Sequence, residues 1–324
     1  MKRLISLLLC ALLIVPALAE DAPDFEPIPW DIKVSPNLPN PDCYLPNNGG
    51  YHDDSIDIQI NVTYWTQDLQ QVDAPGEGTT TVMSARVKLT DVSQFRTGFA
   101  NKYPSKQARH VNDMTKRFNA VMGIDGDYCL YHEQGIVVRN GQTLRMRPHK
   151  GRDELIVDEN GDFHLITCTT QAKWDEYIAG GGTVLHAFCF GPALVVDGVP
   201  LTSLDDVTID NGKAKKAQRM VIGQIGKLEY LILTNEGPES TAPKSVGFDL
   251  VQMANLCVQF GLNNAYNLDG GSSSTIALNN QKINSPSSHK NRMVGDCIWF
   301  ATLVKEETWR EKESVQTVEV EKNK

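Results

Sequence analysis

A carboxylate, two glycines and four hydroxyls stand together in "AYNLDGGSSSTIALNN", residues 265–280. An apolar run ends at Asp269, and Gly270, Gly271, Ser272, Ser273, Ser274 and Thr275 follow. Two glycines let the backbone approach a ligand closely and adopt positive φ. Successive N–H groups in such a turn can form an anion-binding nest, and the hydroxyls add donors for phosphate or sugar oxygens. Asp269 fits a plain phosphate cradle poorly, because a carboxylate repels the anion. It makes more sense aimed at a sugar carbon or a water, or holding a metal. A tight turn capped by an aspartate is the alternative that the pattern alone leaves standing.

A second stretch has the same grammar. "AVMGIDGDY" also follows a helical pattern and a short apolar strand, and it also ends in Asp-Gly. Two such junctions would place Asp125, Asp127 and Asp269 at a common sheet edge. These oxygen donors would suit calcium or magnesium. Other chemistries find no support. GxxxxGK[ST], GxSxG and HExxH are all missing from the sequence, so a P-loop, a nucleophile elbow and a zincin helix are not expected. His110, His132 and His186 read as packing or surface residues.

The elements that must position these groups are mostly strands. In "SIDIQINVTYW", Ile56, Ile58, Ile60, Val62 and Tyr64 alternate with polar residues, the mark of a half-buried strand. Met83, Ala85, Val87 and Leu89 repeat the pattern. Further strands are expected at 136–147, 154–158, 163–169, 184–189, 193–196, 219–225 and 228–234, many joined by Gly, Asn or Asp turns. Two helices stand out. One is "SKQARHVNDMTKRF", with Ser105 as cap and an apolar stripe of Ala108, Val111, Met114 and Phe118; the other is "GFDLVQMANLCVQFGL", stopped at Gly261. The fold expected is α+β: mixed or antiparallel sheets with a few packed helices, in a single main domain.

The ends bound the compartment. Lys2 and Arg3 precede an apolar run, and Ala17-x-Ala19 follows it, which predicts a signal peptide over residues 1–19, cut near Ala19, and an exported protein. No later segment is apolar enough to span a bilayer. Residues 20–55 read as a proline-rich arm or linker, residues 56–304 as the domain, and residues 305–324 as a charged, frayed tail. Six cysteines remain after the leader, an even number that permits disulfides in an exported chain; buried free thiols are the equal alternative. A formal net charge of −9 argues against nucleic acid as a partner, which needs a basic field.

"AYNLDGGSSST" closely resembles the signature of the phosphodiester glycosidase family, which includes N-acetylglucosamine-1-phosphodiester α-N-acetylglucosaminidase and secreted bacterial relatives. Other pieces fall in the family's order. "NAVMGIDGDYC", "HAFCFGPALVVDGVP", "QRMVIGQIGKLEYLILTNEG", "VGFDLVQMANLCVQFGLNNAYNLDGG" and "NRMVGDCIWF" each resemble a family block, and the likeness covers roughly residues 80–304. Two positions depart from the family's pattern. Ser272 stands where a third glycine is usual, and Asp125 stands where asparagine is common.

The resemblance implies hydrolysis of a sugar-1-phosphodiester at the glycosidic carbon, giving free sugar and a phosphomonoester, with no cofactor required. Phosphate is a good leaving group, so strong general-acid help matters less than in ordinary glycosides. The needs are to hold the anion and to activate water or stabilise an oxocarbenium-like centre. On this reading Asp269 is the first choice for nucleophile or base, Asp127 the second, and Asp125 an added carboxylate. Arg219 and Arg292, which open the two strands around the signature, would bind phosphate through planar guanidinium forks. Gly270, Gly271, Ser272 and Ser273 would add donors. The partner is a sugar-phosphate or glycan substrate. Competing readings are a transferase or lyase on cell-wall or exopolysaccharide phosphodiesters, and a noncatalytic glycan-binding protein.

Overall fold

A computed structural model describes residues 24–205, 215–238, 240, 244–285 and 291–310. The expected leader and most of the expected tail lie outside these residues. The architecture is α+β, with three sheets whose strands all pair antiparallel. The largest runs in the order Tyr44–Leu45, Gly50–His52, Ile56–Trp65, Thr80–Leu89, Glu229–Asn235, Arg219–Gly226, Asn264–Asn267, Ala193–Val196, Val199–Pro200. The second contains Phe163–Ile166, Glu154–Val157, His186–Phe188, Gly135–Arg139 and Gln142–Arg147. The third contains Gln281–Lys282, Ile276–Leu278, Met122–Asp125, Asp296–Phe300 and Phe95–Phe99.

One face of each sheet contributes to a shared core. Ile58, Val87, Ile222 and Tyr266 come from the first sheet, Leu155 and Phe188 from the second, and Ile124, Ile276 and Phe300 from the third. Each opposite face is covered by a helix. Helix α1 (Val111–Phe118) packs with Trp299 on the third sheet, α2 (Gln171–Ala179) sets Trp174 on the second, and α3 (Leu250–Gln259) covers the first. Burying each of Leu250, Met253 and Leu256 contributes roughly 1.5–3 kcal/mol.

Helix boundaries follow local chemistry. Asp249 caps α3 in a capping box with Gln252: the Gln252 N–H donates to Asp249 Oδ1 and the Asp249 N–H to Gln252 Oε1. The expected helix from Ser105 begins only at Val111. Arg109 is instead bridged to Val294, N–H to O in both directions, and this holds residues 105–110 out of the helix. Helix α2, capped by Thr170, is an addition to the sequence reading, because its single buried residue, Trp174, gives no apolar stripe to detect. The segment read as one strand over 136–147 is a hairpin that turns at Asn140–Gly141.

The arm is not a free linker where it is described. Ile28 is buried and its N–H donates to Ser93 Oγ. The buried Arg96 donates to the Pro29 and Ile32 carbonyls and lies over the Trp30 ring. At the other end, residues 306–310 are helical. All six described cysteines are free thiols, and Cys129, Cys189, Cys257 and Cys297 are buried. No described helix is long and apolar enough to cross a membrane.

Candidate active site

The two Asp-Gly junctions meet, although not along one edge. Asp125 ends a strand of the third sheet, while Asp269 follows a strand of the first. They touch through the backbone: the Asp269 N–H donates to the Gly126 carbonyl at 3.2 Å, and the Thr275 N–H donates to Asp125 Oδ1 at 2.8 Å. The common edge expected from sequence is therefore a seam between two sheets.

The three carboxylates differ in depth. Asp269 is 9% exposed, whereas Asp125 and Asp127 are both 0% exposed. Asp127 is held on every side. Its Oδ1 accepts from Arg139 Nη2 at 2.9 Å and from the Cys129 N–H, and its Oδ2 accepts from the Cys189 N–H at 2.9 Å. These donors, led by the Arg139 charge, overcome the burial penalty and hold the Asp127 carboxyl well below the usual range. Asp125 moves the other way: burial, then the charge of Asp269, push it well above the usual carboxylate range. Its Oδ2 has no partner among the described residues. As the second and third catalytic choices, Asp127 and Asp125 lie one layer behind the group that reaches the surface.

Two supporting residues went unread in the sequence. Arg139 Nη2 also donates to Asp296 Oδ2 at 3.1 Å, so one guanidinium bridges two buried carboxylates. Its Cζ lies 4.4 Å from the Phe188 ring centroid. Asp296 also dictates Gly126, because a Cβ at position 126 would lie 2.4 Å from the Asp296 carboxyl. The only local trace of this arrangement is an arginine closing the apolar run "GIVVR". Asp127, Cys129 and Asp296 offer donor atoms within 4.8 Å of one another, a spacing that could suit a metal. Arg139 Nη2 lies 2.9 Å from Asp127 Oδ1, 3.7 Å from Cys129 Sγ and 3.1 Å from Asp296 Oδ2, and takes the place of the cation. The set thus fits a guanidinium rather than calcium or magnesium, which favour oxygen ligands.

The signature turn carries the accessible chemistry. Gly270 is pressed against the neighbouring strand: a Cβ there would lie 2.9 Å from the Gln218 carbonyl oxygen. Gly271 has φ +61, and its N–H donates to that same carbonyl at 3.0 Å. Asp269 Oδ1 accepts from the Gly270 N–H at 2.9 Å. Ser272 is half-buried and Ser273 is buried. The Ser273 hydroxyl favours the charged form of Asp269, yet its Oγ reaches no partner in good hydrogen-bonding geometry. Ser274 Oγ is likewise without a partner among the described residues. Burial raises the Asp269 carboxyl above its ordinary value, against the pull of Ser273 and Arg292.

The two predicted arginines part company. Strand parity decides Arg219. Met220 and Ile222 enter the shared core, so Arg219 and Val221 face α3. Arg219 Nε donates to the Phe248 carbonyl and Nη2 to the Lys215 carbonyl at 2.7 Å, and its acidic neighbour is Asp249. Arg292 is exposed, and its charge acts on Asp269. Of the two, it is the one the structure brings to the signature carboxylate.

Asp296 supplies a prediction about stability. Burial, then Asp127, push its carboxyl to about 7. Between about pH 4 and pH 7 the folded chain thus keeps a proton that the unfolded chain has released, so stability falls as pH rises through that window. Glu236, buried and pushed to about 6, adds the same sign. Asp296→Asn should flatten the decline, seen as a shallower fall in melting temperature between pH 5 and 7.5. An unchanged slope would assign the decline to other groups.

The fold and the site together define a class: an antiparallel α+β domain whose Asp-Gly-Gly turn carries a carboxylate at the seam between two sheets. Within it, the chain belongs to the phosphodiester glycosidase family, whose sequence profile matches residues 118–301. No curated protein sequence matches the chain. The structure is similar to the catalytic domain of zebrafish N-acetylglucosamine-1-phosphodiester α-N-acetylglucosaminidase, auto-inhibited by its pro-peptide. That likeness has a TM-score of 0.59 at 14% identity and covers 78% of this chain and 86% of that one. A hypothetical protein from Synechocystis is similar with a TM-score of 0.50 at 13% identity, covering 76% of this chain and 62% of that one.

Proposed function

We propose that this protein is an exported hydrolase of sugar-1-phosphodiesters. It cleaves the bond between the anomeric carbon and the phosphate oxygen, releasing free sugar and a phosphomonoester. The observation that carries this reading is Asp269 at the Asp-Gly-Gly turn, the one of the three carboxylates that reaches the surface, with the charge of the exposed Arg292 acting on it. Family membership supports the reaction class.

The chemistry then follows from what each group can do. Arg292 neutralises the phosphate, and the half-buried Ser272 offers a hydroxyl donor at the turn. As the C1–O bond breaks, its electron pair leaves with the phosphate, whose stability as an anion lowers the need for a proton donor. Asp269 meets the positive charge growing at C1, either as nucleophile or as base toward the attacking water. The guanidinium of Arg139 keeps Asp127 charged behind it, and the Asp125–Gly126–Asp127 turn fixes the Asp269 backbone through Gly126.

A release assay over sugar-1-phosphodiesters tests the reading. The mature protein should liberate sugar from an N-acetylglucosamine-1-phosphodiester and leave a phosphomonoester. Transfer of the sugar to an added hydroxyl acceptor, with none passed to water, would replace the hydrolase by a transferase. Binding without any turnover across the panel would replace it by a glycan-binding protein.

A further inference from the structure

Arg292 is held in an unusual way. It is exposed, and among the described residues no carboxylate or carbonyl accepts from its guanidinium; its contact is the ring of Tyr128, 5.5 Å from Cζ to centroid. A free arginine samples many rotamers and loses that freedom on binding an anion. A residue that holds it against an aromatic face removes part of that cost and leaves all five N–H donors for the ligand.

Tyr128 is built to do this. It follows Asp127 directly and has φ 59, a left-handed backbone that is rare for a bulky aromatic residue. The strain is held in place from both sides. Asp127 is locked by Arg139 and by the N–H groups of Cys129 and Cys189. The Tyr131 N–H closes the turn onto the Tyr128 carbonyl at 3.1 Å. The two rings then stack, with centroids 4.5 Å apart and planes 28° apart. Tyr131 is anchored in turn: its hydroxyl donates to the Lys106 carbonyl at 3.1 Å, and its ring lies against Gly295 on the segment that carries Arg292. Strained backbone that the surroundings over-determine is a feature of ligand sites.

We infer that Tyr128, backed by Tyr131, is a positioning residue that presents the Arg292 guanidinium to the phosphate of a sugar-phosphate ligand. The inference rests on the proposed sugar-phosphate site, and it adds the device that makes an exposed arginine a defined anion contact.

The test uses two substitutions that keep the backbone. Tyr128→Asn removes the ring with a residue that tolerates positive φ, and Tyr128→Phe keeps the ring. The probe is inorganic phosphate, titrated calorimetrically into the whole protein, with melting temperature measured alongside. Tyr128→Asn should weaken phosphate binding about tenfold, the scale of a lost cation–π contact plus the rotamer freedom regained, without lowering the melting temperature. Tyr128→Phe should restore binding. In an Arg292→Ala background, Tyr128→Asn should cost nothing further, since its effect runs through Arg292. Where turnover is measurable, the loss should fall on KM more than on kcat. Wild-type affinity in Tyr128→Asn, additive losses in the double variant, or no phosphate binding by the wild type would each overturn the inference. The two readings fail separately. Phosphate binding that depends on Tyr128 without sugar release sinks the hydrolase alone, and sugar release with a KM indifferent to Tyr128 sinks the positioning role alone.

Discussion

Asp269→Asn should lower kcat for sugar release by a factor on the order of 10³ or more, the scale seen when a nucleophile or general base is removed. Asparagine keeps the shape and can still accept from the Gly270 N–H, so the turn should hold. What is lost is the negative charge at the one carboxylate of the three that reaches the surface. Phosphate binding should survive, because Arg292 remains and a repelling charge is gone. Stability should also survive. The Asp269 carboxyl is raised by burial, so its ionised form is disfavoured in the folded protein, and a neutral amide removes that penalty at neutral pH. Loss of turnover with an unchanged or higher melting temperature is therefore the expected pair of results. A variant that turns over normally would take Asp269 out of the mechanism.

The largest stability effect should come from Arg139→Met. The substitution keeps an apolar stem against Phe188 and deletes the charge that serves both Asp127 and Asp296. Both carboxylates are nearly sealed from solvent, at 0% and 2% exposure. Breaking a buried ion pair by removing one partner typically costs about 3–5 kcal/mol, because the remaining charge is left uncompensated. Nη1 also donates to the Val138 and Ala187 carbonyls, which would lose their donor. The loss should depend on pH. Without Arg139 both carboxyls would take up protons at higher pH than in the unfolded chain, so the variant should be closest to wild type in acid and fall behind as pH rises. Denaturant unfolding at about pH 5 and pH 8 measures this. Adding Asp296→Asn should recover part of the loss, since one of the stranded charges disappears. A small loss that is the same at both pH values would mean that the triad is less buried or less coupled than its distances suggest.

Much of the scaffold was legible because it is encoded locally. The alternation from Ile56 holds over the first half of the strand, where Ile56, Ile58 and Ile60 pair with Leu89, Val87 and Ala85 of the other alternating run, but Val62 is exposed and Trp65, of the opposite parity, is the buried residue at its end. Asp249, Gln252 and Gly261 bound the second helix with groups that lie within a few residues of its ends. Where one local signal competed with a distant one, the reading slipped. Ser105 is a good cap by type, but the pairing of Arg109 with Val294 decided where α1 starts. A sequence rule for caps cannot see a partner 185 residues away.

The site divides along the same line. Sequence by itself determined that Asp269 would sit in a glycine-rich, hydroxyl-rich turn after a strand, because those residue types act through backbone freedom and short-range hydrogen bonding. It also singled out Asp125 and Asp127 as partners. Only the tertiary structure decided their depth, and depth decides what a carboxylate can do. Arg139 meets Asp127 and Asp296 across 12 and 157 residues, Arg219 turns to α3 by strand parity, and Arg292 comes to lie over Tyr128. Charge, exposure and pairing are properties of the space between sheets, so they appear only once three sheets close on one core.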